Sequence, residues 1–364
     1  MTEANVISLS GGKDSTATLL TAIEREVDNL TAVFADTGNE HPETYDYVHY
    51  LERATGVKIK WVRADFSTDI ERKRRFIEEK WFDDLVAGAP GKWRAANDNK
   101  NPGEPPPAPA DPYRKLQVDA WKWQPAVPPM AEQQARQVVE TALSVLQPTG
   151  NPYLDLCLWK GRFPSRMAQF CTQQLKVYPI HEQVLLPMID NREFSRIVCW
   201  QGVRAEESPS RAQLPEWEAE MDTGNGGGLW NYRPILQWSV EQVFAAHRRH
   251  GIKPNPLYRQ GMTRVGCMPC INCQKSELRQ IAMRFPEELE RIRKWEQLVS
   301  MAAKRGMATF FAVKGVANDN VSLEQHGIMA KADWSKTTRG GNTYDLIALT
   351  EEPQACQSAY GLCE

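Results

Sequence analysis

Several absences narrow what this chain of 364 residues can be. No apolar run is long enough to span a bilayer, so no membrane-spanning helix is expected. The start, MTEANVISLS, has no basic stretch followed by an apolar one, and a cytoplasmic location is expected. Charge of one sign is missing too: 44 Lys and Arg face 46 Asp and Glu, a net charge of −2. Bulk charge therefore gives no argument for nucleic-acid binding, and no basic run or recognition helix stands in for it, although local basic patches stay open. Neither G-x-x-x-x-G-K-[ST] nor G-x-G-x-x-G occurs, which argues against a Walker loop and a dinucleotide fingerprint. Eight cysteines in an expected cytoplasmic chain point to metal or redox chemistry more than to a disulfide framework.

What is present begins with Leu9-Ser10-Gly11-Gly12-Lys13-Asp14-Ser15. Val6 to Leu9 reads as a buried strand, and Ser15 to Glu26 as a helix with Ala17, Leu19, Leu20 and Ile23 on one face. Between them the glycine pair permits positive φ, so backbone N–H groups can converge on an anion at the helix N-terminus. Lys13 would add a mobile charge, Ser10 and Ser15 hydroxyl donors, and Asp14 a carboxylate for a phosphate-bound magnesium ion. A plain polar turn is the alternative. SGGKDS resembles the PP-loop of the ATP pyrophosphatases, which cut ATP between its α and β phosphates and activate a substrate as an adenylate.

Strand and helix then alternate: a strand at 31–36, a helix at 42–55 and a strand at 58–64, implying a parallel sheet. Ligands of such sheets bind beyond the strand C-termini, which puts Asp36 and Thr37 on the rim of the glycine turn. The resemblance implies that the strand carrying Phe34 reads adenine through its backbone. About 82–150 reads as an insertion, with Trp93, Trp121 and Trp123 either packing it to the body or offering a stacking surface. A helix is expected at 165–177, a strand at 196–201, and after it a loop with Arg204 and Arg211, whose planar forks suit phosphate or sulfate. A salt-bridged surface loop with Glu206 and Glu207 is the alternative. That loop, the RPILQWS helix start at 233–239 and the NPLY turn at 255–258 resemble the phosphoadenylylsulfate reductase family in the broad sense. His247 and His250 are expected to be solvated or at the core edge rather than metal ligands.

Cys267-Met268-Pro269-Cys270-Ile271-Asn272-Cys273 brings three thiols around one centre, the donor set of iron–sulfur or zinc sites. Cys171 is the expected fourth ligand of a [4Fe-4S] cluster, because FCTQQLKVYPI resembles the upstream cysteine segment of cluster-bearing adenylylsulfate reductases, which carry a cysteine pair there. Zinc is the alternative metal. A single brace helix is expected at 278–298, and the tail holds Cys356 and Cys363, the latter a candidate sulfur-carrying thiolate.

The expected fold is α/β: a Rossmann-like parallel sheet of the adenine nucleotide alpha hydrolase type at 1–260, then a helical cysteine-cluster region at 261–364. The resemblance implies ATP and magnesium as ligands, with catalysis by Lys13, Asp14, Arg204, Arg211 and Cys363. An intact loop beside a cluster-type cysteine set looks most like the sulfur-transfer proteins of DNA phosphorothioation, the Dnd and Ssp systems. The implied partners are a nucleic acid, DNA before tRNA, as sulfur acceptor and a cysteine desulfurase as donor. A nucleotide-sulfate reductase is the alternative enzyme, and an ATP-binding regulatory subunit of a defence or mobile-element complex the alternative of another class.

Overall fold

The computed structural model describes residues 2–95, 104–113, 116–224, 226–313, 315–316 and 320–337. The strands are β1 (Glu3–Leu9), β2 (Leu30–Asp36), β3 (Ile59–Arg63), β4 (Lys92–Ala95), β5 (Leu116–Val118), β6 (Trp121–Gln124), β7 (Arg196–Trp200), β8 (Trp217–Asp222) and β9 (Gly228–Tyr232). The main sheet has the order β3-β2-β1-β7-β9-β8. Its ladders are parallel except the one between β8 and β9. From β1 the chain steps outward to β3 and later returns to the other side of β1 with β7. The strand order therefore reverses between β1 and β7, the place where open α/β sheets bind ligands.

Both faces of this sheet are covered, as a parallel sheet requires. Ile7 and Leu9 of β1 pack with Leu19, Phe34, Val48 and Leu51 on one face. Ala4 and Val6, alternating with them, pack with Val33, Val62, Val184 and Ile197 on the other. The helices α1 (Lys13–Glu24) and α2 (Pro42–Thr55) follow β1 and β2. A separate helical core holds α3 (Ser67–Phe76), α4 (Phe82–Ala87), α5 (Glu132–Val145) and α6 (Pro152–Lys160), with the helices Lys275–Arg284, Pro286–Ala302 and Ile328–Ser335. Ile70, Ile77, Leu156, Ile292 and Ile328 are fully buried there. Among the described residues no helix is long and apolar enough to cross a membrane.

Two local expectations need correction, and two sets of elements went unread. The brace at 278–298 is two helices that meet at Phe285, whose φ is −133°; Pro286 has no N–H to donate and its ring bars a helical conformation before it. The expected helix at 165–177 starts as a tight turn, in which Ser165 and Ala168 exchange backbone hydrogen bonds, and becomes helical only at Phe170. From there it runs to Asp190 with wide π turns at Gln173–Val177 and His181–Leu185. Each wide turn ends two residues before a proline, Pro179 or Pro187, where the missing donor and the ring loosen the helix. The 82–150 segment carries α5 and the small sheet β4-β6-β5, rather than only irregular chain. In it Trp93 meets Trp123 edge to face at 5.1 Å, so these two indoles pack on each other. Finally, β8 and β9 were not legible from the sequence; β8 is exposed along its whole length and carries no core pattern.

Candidate active site

The turn after β1 is held from three distant segments. Gly11 takes φ +70°, and a Cβ there would lie 2.8 Å from the Thr44 methyl, so glycine answers both the handedness and the close approach of α2. Within the loop, the Ser10 N–H donates to Ser15 Oγ at 3.1 Å, and the Ser15 hydroxyl donates to the Gly12 carbonyl at 3.1 Å. From the far end of the chain, Asn255 Nδ2 donates to the Gly11 carbonyl at 3.1 Å. The Lys13 N–H donates to the Tyr258 hydroxyl oxygen at 2.8 Å. His247 Nε2 donates to the Lys13 carbonyl at 2.9 Å. Burial depresses the His247 pKa, against the opposing pull of the Lys13 carbonyl and Asp14, which keeps the ring neutral. Of the two expectations for His247, solvated or at the core edge, its 1% exposure excludes the solvated one, and the ring supports the loop from the core.

The loop after β7 closes on the first turn of α1. A Cβ at Gly202 would sit 2.9 Å from the Ser15 backbone nitrogen, so glycine lets the two chains touch. Arg204 is 5% exposed and donates through Nε to Asp14 Oδ1 at 2.6 Å and through Nη1 to Glu206 Oε2 at 2.6 Å. Lys13 Nζ stands 3.0 Å from Asp14 Oδ2. Asp14 is therefore clasped between two cations. Arg211, half-buried, pairs with Glu207, whose carboxylate also accepts the Arg204 N–H at 3.4 Å.

A cavity of about 290 Å³ opens at the reversal point. Ser10 and Phe34 line it from the phosphate-loop side, Gln201 and Gly202 from the β7 loop, and Lys176, Glu40 and Gly266 from the side of the cysteines. Asp36 and Thr37 are committed elsewhere. Asp36 accepts from the Gly38 N–H and the Tyr45 hydroxyl, while Thr37 is fully buried and donates to Glu40 through N–H at 3.1 Å and Oγ1 at 2.7 Å.

Cys267 lies 3.4 Å from Thr37 Oγ1 and 3.7 Å from Glu40. Burial raises the pKa of Cys171, Cys267 and Cys273. Burial works to lower the Lys176 pKa, but Cys267, Glu40, Cys270 and Cys171 together outweigh it, so the amine stays charged. Arg166 lies by the same group, donating to the Cys273 carbonyl at 3.3 Å. The thiols are free cysteines, and no group of three or more His, Cys, Asp or Glu among the described residues stands in metal-ligand arrangement. One observation nevertheless fits a bound group. The Tyr153 hydroxyl is buried with no hydrogen-bond partner among the described residues, and Cys157, Cys267, Cys171 and Cys270 all bear on it. Cys356 and Cys363 lie outside the described residues.

Sequence reasoning missed Tyr258, Asn255, Glu40 and Cys157. The first two sit in the NPLY turn, noticed for its family pattern but not for the bonds it makes to a loop over 240 residues away. Cys157 is fully buried on α6, in the run PYLDLCLWK, where a thiol looks like any small apolar residue.

Residues 4–88 and 136–273 match the family model of the phosphoadenosine phosphosulfate reductase domain, leaving 89–135 outside it. A 37.8 kDa uncharacterized protein of Escherichia phage 186 is 44% identical over 99% of this chain and 96% of its own length. The adenosine 5'-phosphosulfate reductase of Allochromatium vinosum is 42% identical over 71 residues, 19% of this chain and 25% of its own length. A phosphoadenylyl-sulfate reductase structure from Candida auris, in a phosphate complex, covers 73% of this chain and 82% of its own at 13% identity and a TM-score of 0.33.

Proposed function

The chain belongs to the phosphoadenosine phosphosulfate reductase family, and from that premise we propose that it is an ATP-dependent, pyrophosphate-releasing sulfur transferase acting on nucleic acid, in the manner of DNA phosphorothioation. The observation that carries this reading is the single cavity with the SGGKDS loop on one side and Lys176 and Gly266, neighbours of the cysteines, on the other. An acceptor oxygen attacks the α phosphorus of ATP, the α–β bridge bond breaks, and pyrophosphate leaves toward the N–H groups of the loop. The acceptor is then an adenylate. The outer sulfur of a desulfurase-charged carrier persulfide attacks the acceptor phosphorus and displaces AMP, which departs with the former acceptor oxygen; a second thiol then attacks the carrier sulfur, forming a disulfide and freeing the phosphorothioate. Lys13 stabilises the leaving pyrophosphate, and Arg204 holds Asp14 and the α1 terminus in place for it.

Magnesium would arrive on the ATP phosphates; both oxygens of Asp14 already face cations, and no step is assigned to a metal there. Cys171, Cys267, Cys270 and Cys273 would hold a [4Fe-4S] cluster, with zinc as the alternative on the same thiols, and its chemistry would be to position sulfide beside the activated acceptor.

The test is the product of ATP turnover. Purified protein with DNA should form AMP and pyrophosphate, and Lys13→Ala should slow that reaction by about a hundredfold or more, as loss of one preorganised donor does. ADP and inorganic phosphate as products would sink the reading. The local identity to adenosine 5'-phosphosulfate reductases favours a second reading, reduction of a preformed nucleotide sulfate. That enzyme would release sulfite from adenosine 5'-phosphosulfate with no ATP consumed.

A further inference from the structure

Tyr153 is the second residue of α6, and the start of that helix is fastened to the cysteine loop through one short turn of chain. Asn151 caps the helix, accepting the Leu154 N–H at 3.0 Å, and its Nδ2 donates to the Gly38 carbonyl at 2.7 Å. A Cβ at Gly38 would lie 2.8 Å from that side-chain amide, so glycine lets the two meet. The next residue, Asn39, is fully buried and grips the other side: its carbonyl accepts the Met268 N–H at 2.7 Å, and its Nδ2 donates to the Pro269 carbonyl at 3.1 Å. Residues 38–39 therefore set α6 against the loop that carries Cys267 and Cys270.

The Tyr153 ring is fixed in that joint. It is 2% exposed, stacks on Trp295 at 5.7 Å with 22° between the planes, and tilts against Phe310 at 6.4 Å. A ring packed in this way leaves its oxygen little choice of position. That oxygen is buried and has no hydrogen-bond partner among the described residues. Thiols from three segments stand near it: Cys157, four residues on along the same face of α6, Cys171 from the helix that begins at Phe170, and Cys267 and Cys270 from the loop. Burial raises the Tyr153 pKa and the charges of these four cysteines raise it further, so the proton stays on the oxygen. The hydroxyl is a donor facing sulfur. A thiol is a weak acceptor, whereas a metal-bound thiolate or a sulfide carries negative charge and accepts well.

From this arrangement we infer that the Tyr153 hydroxyl is a positioning donor to the metal centre, giving its hydrogen bond to an anionic sulfur held there. The inference rests on the proposed metal at Cys171, Cys267, Cys270 and Cys273, and it adds a residue outside the four. Its effect follows from charge. A donor on the sulfur stabilises the metal-bound anion over the protonated thiol, which tightens metal binding, and with iron it favours the reduced state, which bears the extra electron.

In Tyr153→Phe the ring and its stacking remain and only the oxygen is lost. The experiment is an anaerobic titration of zinc, the metal alone, into the reduced full chain stripped of metal, read against a competing chelator. Zinc affinity should fall about tenfold, as loss of an outer partner of a metal ligand does. The thermal midpoint of the metal-free chain should not fall, because the hydroxyl has no bond there to lose. A hydroxyl that serves only the fold would do the reverse, lowering that midpoint and sparing the affinity. Tyr47→Phe, in the sheet core, should leave zinc affinity unchanged. In protein that carries iron, Tyr153→Phe should also shift the reduced-to-oxidised ratio about tenfold, a midpoint more negative by about 59 mV. Equal zinc affinity in Tyr153→Phe and the parent, an unmoved iron midpoint, or an equal loss in Tyr47→Phe overturns the donor and leaves the metal reading intact. A parent chain that takes up neither zinc nor iron overturns both, while the products of ATP turnover judge the proposed reaction separately.

Discussion

The two walls of the cavity are finished to different degrees. On the phosphate-loop side, backbone and side-chain groups are already paired: Asn255 holds Gly11, Tyr258 and His247 hold Lys13, and Arg204 holds Asp14. On the cysteine side, buried thiols are driven toward their protonated forms and the Tyr153 hydroxyl is left without a partner among the described residues. The difference follows from chemistry. Fixed backbone dipoles find their partners within the chain, whereas buried thiols are weak donors and acceptors that leave a neighbouring hydroxyl unsatisfied.

The largest expected effect is on the unfinished wall. Protein purified without oxygen should be brown with about four irons per chain, and Cys270→Ser, in the middle of the C-x-x-C-x-x-C run, should lose the colour entirely. Stoichiometric zinc with no iron would mean that the wall is a structural metal knot. Metal should also raise thermal stability, because binding counts toward folding. On the finished wall the comparable break is Arg204→Ala. It strands Asp14 beside Lys13 and opens a buried pair, a loss of about 3–5 kcal/mol in urea unfolding. The 5% exposure of Arg204 and its two carboxylate partners, one of them the Glu206 of the salt-bridged alternative, are why the fold should feel its loss. If Arg204→Ala unfolds like the parent protein, that wall is less preorganised than its bonds imply.

The helical core behind the cysteines should also respond to pH in a way that the phosphate loop does not. Glu296 accepts the N–H groups of Phe310 and Ile328, and burial, against those bonds, raises its pKa from 4.5 to about 7. Between those values the folded protein keeps a proton that the unfolded chain has lost. Stability should therefore fall as pH rises from about 4.5 to 7, by about 3 kcal/mol at most, and then level off. Glu296→Gln should flatten that slope. A slope of the same size in the variant would assign it to another group.

How much of this could be read in advance depended on distance along the chain. SGGKDS, the strand before it and the helix after it were legible because a turn between neighbours is written in adjacent residues. The loop's supports were not, since His247, Asn255 and Tyr258 reach it across more than 230 residues. Cys171, Cys267, Cys270 and Cys273 were picked out by spacing and resemblance, whereas the fully buried Cys157 was not. Helix α5 was hidden by position: its Glu132-Gln133-Gln134 start follows a proline-rich stretch and looks like more of it. The break at Pro286 was written plainly, and the apolar periodicity running on either side of it masked the stop.

The smallest expected effect is also the finest test of the finished wall. In Tyr258→Phe the ring remains, still packed against Phe244 and beneath the Lys13 ammonium at 5.5 Å, and only the hydroxyl is lost. The Lys13 N–H then loses the acceptor at 2.8 Å, and a buried hydrogen bond of this kind contributes about 1 kcal/mol. Urea unfolding without nucleotide should show that loss. ATP changes the expectation, because a phosphate oxygen seated at the α1 terminus can take the orphaned N–H in place of the tyrosine. Saturating ATP should therefore stabilise Tyr258→Phe more than the parent, closing most of the gap. A gap that stays the same with and without ATP would mean that the Lys13 N–H never faces the phosphates, and that Tyr258 braces the loop from behind instead of sharing a donor with the substrate.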